Sequence, residues 1–154
     1  MKSQVAFPIE PVESNEAAVR DADIVVTATS AQEPVIKRSW IAEGAHINGI
    51  GTHSPHSREI DTETMAAARI YTDRRESLLN EAGDYVIAAQ AGAVSPESVV
   101  GEIGELVLGT KPGRTSANEI TVFKSLGLAI EDVACAEYLF RKASAENVGT
   151  WVNF

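Results

Sequence analysis

The chain has 154 residues, 44% of them hydrophobic and 23% charged, a composition that fits a globular domain and argues against wholesale disorder. Thirteen Lys and Arg against twenty-two Asp and Glu give a net charge of −9, which disfavours nucleic acid as a partner, because affinity there rests on basic residues meeting phosphates. No apolar run approaches a membrane span, the first residues do not read as a secretory signal, and a single cysteine, Cys135, forms no internal disulfide, so a cytoplasmic protein with no membrane partner is expected.

Residues 5–12 are a short extended run broken by Pro8 and Pro11. Ser14 reads as the N-cap of a short helix with an acidic first turn. Residues 24–29, Ile-Val-Val-Thr-Ala-Thr, are apolar and β-branched without alternation, which predicts a parallel strand covered on both faces. Residues 32–40 make a connection with a short helical turn. Residues 44–51 suit the next strand, closing in glycines, and residues 52–58 a polar loop. Residues 61–68 predict a helix whose acidic start suits the positive end of the dipole, and residues 69–73 a further strand. This alternation points to an open α/β sheet of the doubly wound kind.

Residues 74–82 predict a helix stopped by Gly83, and residues 85–94 have no clear period. Residues 96–108 read as one helix, with Val99, Ile103 and Leu106 on a shared face, ended by Gly109 and Pro112-Gly113. Residues 120–123 suit a strand. Ala129, Val133, Ala136, Phe140 and Ala143 then recur at helical spacing, the cleanest such stripe in the chain. Residues 151–154 form an apolar, strand-like tail that needs something to pair with.

In doubly wound folds the ligand sits at the carboxyl ends of the strands. Three strand ends therefore matter: Thr27 to Ser30, Ile50 to His53, and Lys124 to Gly127. Small residues in the first let a flat ring or ribose approach the backbone, glycines in the second do the same, and Ser125 stands just ahead of the long helix. The phosphate-binding turn G-x-G-x-x-G does not occur. His46 reads as structural and His56 as surface, and the histidines have no spacing for a metal site. Cys135 reads as a structural thiol, and Glu102 and Glu105, three residues apart, as solvent-facing.

Six blocks, in order, resemble the ornithine cyclodeaminase/mu-crystallin family. They are residues 23–30, 44–51, 58–61, 101–107, 111–116 and 119–132, the last reading Glu-Ile-Thr-Val-Phe-Lys-Ser-Leu-Gly-Leu-Ala-Ile-Glu-Asp. The resemblance covers the C-terminal half of that family's usual length. It implies part of an NAD(P)-binding Rossmann-like domain over residues 1–127, and over residues 128–154 a helix and strand that return to a dimerisation and substrate domain. It implies a small amino or imino acid substrate, NAD or NADP as cofactor, hydride transfer at the α-carbon, and a homodimer or association with the missing half. Thr27, Ala28, Thr29, Ile50, Gly51 and Ser125 would line the cofactor. Where the cyclodeaminase branch has a catalytic Asp this chain has His53, which favours the reductase-like branch; His53 is then either a proton donor or an exposed loop residue. Lys124 falls where many members carry Asp, which sets aside a Schiff-base role. Without the glycine turn and the substrate-binding Arg and Lys, these residues by themselves are expected to bind dinucleotide poorly and not to catalyse. The alternative is a non-catalytic small-ligand or structural protein of the same family, or an inactive truncated product.

Overall fold

Five short parallel strands form one sheet in the order β1-β2-β5-β3-β4, in a computed structural model that describes residues 6–152. The strands are β1 (Ile24–Thr27), β2 (His46–Gly49), β3 (Arg69–Thr72), β4 (Val99–Glu102) and β5 (Thr121–Lys124). The order sets the faces. The chain steps one way from β1 through β4, then reverses to insert β5 between β2 and β3. Right-handed crossovers put the two sets of connections on opposite faces.

On the first face lie α2 (Thr62–Ala67), α3 (Arg75–Glu81) and α4 (Gly83–Gln90). They cover Val25, Ile47, Ile70 and Val122, which pack with Ile60, Met65, Leu78 and Tyr85 as the core. Each such aliphatic side chain contributes roughly 1.5–3 kcal/mol of burial. The second face carries α5 (Ile103–Val107) from the β4-to-β5 crossover. There a groove of about 530 Å³ is lined by His46, Asn48, Tyr71, Phe123, Ile103 and Leu106 among others.

Local chemistry fixes the helix starts. Ser14 Oγ accepts from Ala17 N at 3.1 Å and caps α1 (Asn15–Val19); Asp61 Oδ1 accepts from Thr64 N at 2.9 Å and caps α2.

Several expectations are corrected. Residues 6–12 form no strand; the prolines lack the N–H a ladder needs, and Val5 lies outside the described residues. β1 is covered on one face only: Val25 and Thr27 are buried, while Ile24 is 67% and Val26 59% exposed. The run is apolar on both faces, yet no described element lies on its second one. Residues 96–108 are not one helix. They form a 3₁₀ turn over Pro96–Ser98, then β4, then α5. Val99 and Gly101 pair with Ile70 and Tyr71, so the sheet claims a segment whose helical spacing was fortuitous. The helix over residues 75–81, α3, does stop before Gly83 as expected, but Gly83 itself opens a further helix, α4, that the sequence did not show; a Cβ there would lie 2.0 Å from Ser57 O.

Glu102 and Glu105 are half-buried and have structural partners. Glu102 Oε1 accepts from Arg75 N at 2.8 Å at the start of α3, and Glu105 Oε2 from Glu102 N at 2.9 Å at the start of α5. The long helix α6 (Ala129–Glu146) forms where its stripe predicts it, but none of its residues is buried, and Cys135 on it is exposed. Trp151 and Val152 take no regular structure; Trp151 packs edge-on against Phe140 with ring centroids 5.9 Å apart, and Asn153 and Phe154 lie outside the described residues.

Candidate functional site

The carboxyl ends of the strands are joined by buried carboxylates. Glu59, fully buried, lies under the ends of β1 and β2. Its Oε2 accepts from the Thr27 hydroxyl at 2.9 Å and from Gly51 N at 2.8 Å, and its Oε1 accepts from Thr29 N at 2.6 Å. Burial pushes the Glu59 carboxyl up, but hydrogen bonds from Thr29, Thr27 and Gly51 outweigh it and hold the group below its ordinary range. Gly51 is required by this closeness: a Cβ there would stand 2.2 Å from Thr29 O and 2.5 Å from Glu59 Oε1.

A second node sits beneath the loop after β2. Lys124 Nζ lies 3.1 Å from Asp84 Oδ2, both side chains wholly buried, and donates to Thr52 O at 2.8 Å. Asp84 also accepts from Glu59 N at 2.7 Å, Ile60 N at 2.8 Å and the Thr52 hydroxyl at 3.1 Å. The pair thus fixes the backbone on both sides of residues 53–58 and aims Glu59. Asp73, at the end of β3, does the same for the turn after β5. Its Oδ2 accepts from Leu126 N at 2.7 Å, Gly127 N at 2.5 Å and the Ser125 hydroxyl at 3.2 Å. Burial raises the Asp73 carboxyl, and the Leu126, Gly127 and Arg74 amides with the Thr72 hydroxyl bring it net below its ordinary range.

Above these carboxylates, Ala28 and Thr29 after β1 and Ile50 after β2 are exposed, Gly51 and Ser125 are half-buried, and Thr27 is buried with its hydroxyl spent on Glu59. His53 is exposed, one residue beyond Thr52, and His56 is exposed on the same loop. His46 faces the opposite groove, its Nδ1 2.7 Å from the Thr121 hydroxyl, as befits a structural residue. Sequence reasoning named the exposed residues and missed the carboxylates beneath them. The available signal was a demand for acceptors: Glu59 is the only acid between Gly51 and Asp61, and the strand ends it serves carry donors without partners of their own.

A parallel sheet whose strand order reverses once is the architecture of the Rossmann-like folds, in which ligands sit at the strand carboxyl ends. The model of the ornithine cyclodeaminase/mu-crystallin family matches residues 1–147, and the chain belongs to that family. It is 41% identical over 132 residues to an alanine dehydrogenase of Archaeoglobus fulgidus, covering 86% of this chain and 41% of that protein. It is 38% identical over 138 residues to the ketimine reductase mu-crystallin of Mus musculus, covering 90% of this chain and 41% of that protein. The structure of Thermococcus litoralis Δ1-pyrroline-2-carboxylate reductase in complex with NADH and L-proline superposes with a TM-score of 0.86 at 43% identity, over 92% of this chain and 44% of that one. The chain thus spans less than half the length of these relatives.

Proposed function

We propose that this chain is the later part of the dinucleotide domain of an NAD(P)-dependent reductase acting on a small cyclic imino acid, or running the reverse oxidation. The observation that carries the reading is the exposed ledge of Ala28, Thr29 and Ile50, held rigid by Glu59 and the Asp84–Lys124 pair. The residues present fit one end of the cofactor. Small side chains at Ala28 and Thr29 admit a ribose, and Ile50 offers an apolar surface to a flat ring. They do not fit the pyrophosphate. The amides of Thr29, Gly51, Leu126 and Gly127 all donate to carboxylates, so they are spent as anion donors. The phosphates would be held by residues outside this chain, in keeping with the missing glycine turn.

When bound, the nicotinamide supplies the hydride. Thr27, Ala28, Thr29, Ile50, Gly51 and Ser125, at the carboxyl ends of β1, β2 and β5, would line the cofactor. The Ser125 hydroxyl donates to Asp73. His53, exposed on the loop after β2, is the candidate proton donor. Holding the ring against Ile50 excludes water from one side of the reacting carbon. We further propose a cytoplasmic homodimer, with α6 leading to the substrate and dimerisation domain. Among the described residues no helix is long and apolar enough to cross a membrane.

The test uses the intact polypeptide as its source cells make it. With NADH or NADPH and Δ1-pyrroline-2-carboxylate, loss of absorbance at the nicotinamide band is expected. Saturable cofactor binding without turnover on any cyclic imino acid would instead support a carrier, and no cofactor binding would overturn the reading.

A further inference from the structure

Glu59 is wholly buried, yet none of the ion pairs among the described residues includes it. Its partners are neutral dipoles: two amides and a hydroxyl. The nearest node adds no positive balance, since Lys124 is matched by Asp84. The strand ends therefore carry an uncompensated negative charge at Glu59 beneath the ledge, and a second at Asp73 beneath the turn after β5, which is likewise buried and in no ion pair among the described residues. Two of the groups that donate to Glu59, the Thr29 and Gly51 peptide N–H groups, are the ones that border the exposed ledge. The Glu59 charge is one hydrogen bond removed from anything lying on the Gly51 backbone.

A buried charge in a medium of low dielectric acts strongly on its neighbours. The two forms of a nicotinamide differ in charge at the ring: the oxidised form is a cationic pyridinium, the reduced form a neutral dihydropyridine. We propose that Glu59 makes the crevice select between these forms, favouring the oxidised pyridinium through its uncompensated negative charge. The inference rests on the dinucleotide reading above. It deepens that reading by giving the Glu59 charge a role beyond the hydrogen bonds that its two oxygens accept. The bias also favours release of a neutral product-side cofactor in the oxidative direction. In the reductive direction it stabilises the spent cofactor and so inhibits by product.

Dissociation constants for NAD⁺ and NADH are measured on the intact polypeptide, and on its Glu59→Gln and Glu59→Asp variants. Glu59→Gln removes the charge, and the ratio of the NADH constant to the NAD⁺ constant is expected to fall by about threefold or more. Glu59→Asp disturbs the geometry and keeps the charge; both constants are expected to rise with their ratio unchanged. If Glu59→Gln weakens both forms equally, Glu59 is a structural clasp only and the proposal is wrong. Should Glu59→Gln fail to fold, the wild-type protein still decides. The Glu59 carboxyl, followed by ¹³C NMR, is expected to titrate lower with NAD⁺ bound than with NADH bound; an equal or higher titration overturns the proposal. If the wild type binds both forms but with no such difference, the fault lies here. If it binds neither, the dinucleotide reading itself has failed and takes this one with it.

Discussion

At the scale of single residues, Lys124 and Asp84 show how a charge can be kept in a core. Taking both ions from water costs several kcal/mol each, which their attraction offsets only when the remaining hydrogen-bond capacity is used. Here it is used: Lys124 reaches Thr52 O and Asp84 takes the amides of Glu59 and Ile60. Lys124→Met keeps the length of the side chain and leaves Asp84 buried and unpaired. It is expected to lower the unfolding free energy by about 3–5 kcal/mol. Adding Asp84→Asn should recover part of that loss, because a neutral amide needs no counterion. Urea denaturation of the three proteins checks both statements; equal stability of Lys124→Met and wild type would show that the pair is not what holds the loop. Lys124 also shows the limit of reading residue by residue. A lysine at the end of an apolar strand is conspicuous in sequence, but its partner, Asp84, lies forty positions upstream, just ahead of a segment that lacks clear periodicity.

At the scale of elements, the strand ends depend on ionised carboxylates, and this gives the sheet a pH dependence of known sign. Glu59 and Asp73 both titrate below their ordinary values of 4.5 and 3.8 in the folded protein. A carboxyl depressed on folding contributes stability that is fully present above its unfolded value and is lost as pH falls through its folded value. Stability is therefore expected to hold from neutral pH to near 4.5 and to fall progressively below it. Glu59→Gln, less stable at neutral pH, should show a shallower loss over the acid range, so the two curves converge as pH drops. Parallel curves from denaturant titrations at stepped pH would show that Glu59 does not carry the dependence. The elements themselves were largely legible. β1, β3 and β5 announce themselves by β-branched and aromatic residues, β2 by the glycines that close it, and α1, α2 and α6 by caps or periodicity. β4 and α5 were not, because Val99, Ile103 and Leu106 fit a helical period as well as a strand followed by a helix. Only pairing with β3, which is non-local, decides between them. The same holds for the site. Exposed strand-end residues follow from the fold class, whereas the acceptors beneath them come from α4 and from loops distant in sequence.

At the scale of the whole molecule, the apolar surface is lopsided. One face of the sheet has its helices; on the other, Ile24 and Val26 stand exposed. α6 has 18 residues, which as a helix spans roughly 27 Å, and none is buried. An amphipathic helix in water draws most of its stability from packing its apolar face, and here Ile130, Val133 and Leu139 stand exposed while Phe140, 59% exposed, meets Trp151 edge-on. Its own polar face supplies little beyond the Glu137–Arg141 pair, worth a few tenths of a kcal/mol. The helix therefore calls for a partner, and the proposed dimer supplies one. The 154-residue chain is expected to sediment above its 16.4 kDa monomer mass, with an average that rises with concentration. Val133→Glu with Phe140→Glu places two charges in the stripe while leaving the sheet untouched. It should return the chain to monomer mass and lower the helical circular dichroism, with the sheet core unfolding at an unchanged denaturant midpoint. A wild-type chain that stays monomeric at every concentration, or a double variant that associates just as strongly, would move the interface away from α6 and leave the open face of β1 as the surface that seeks cover.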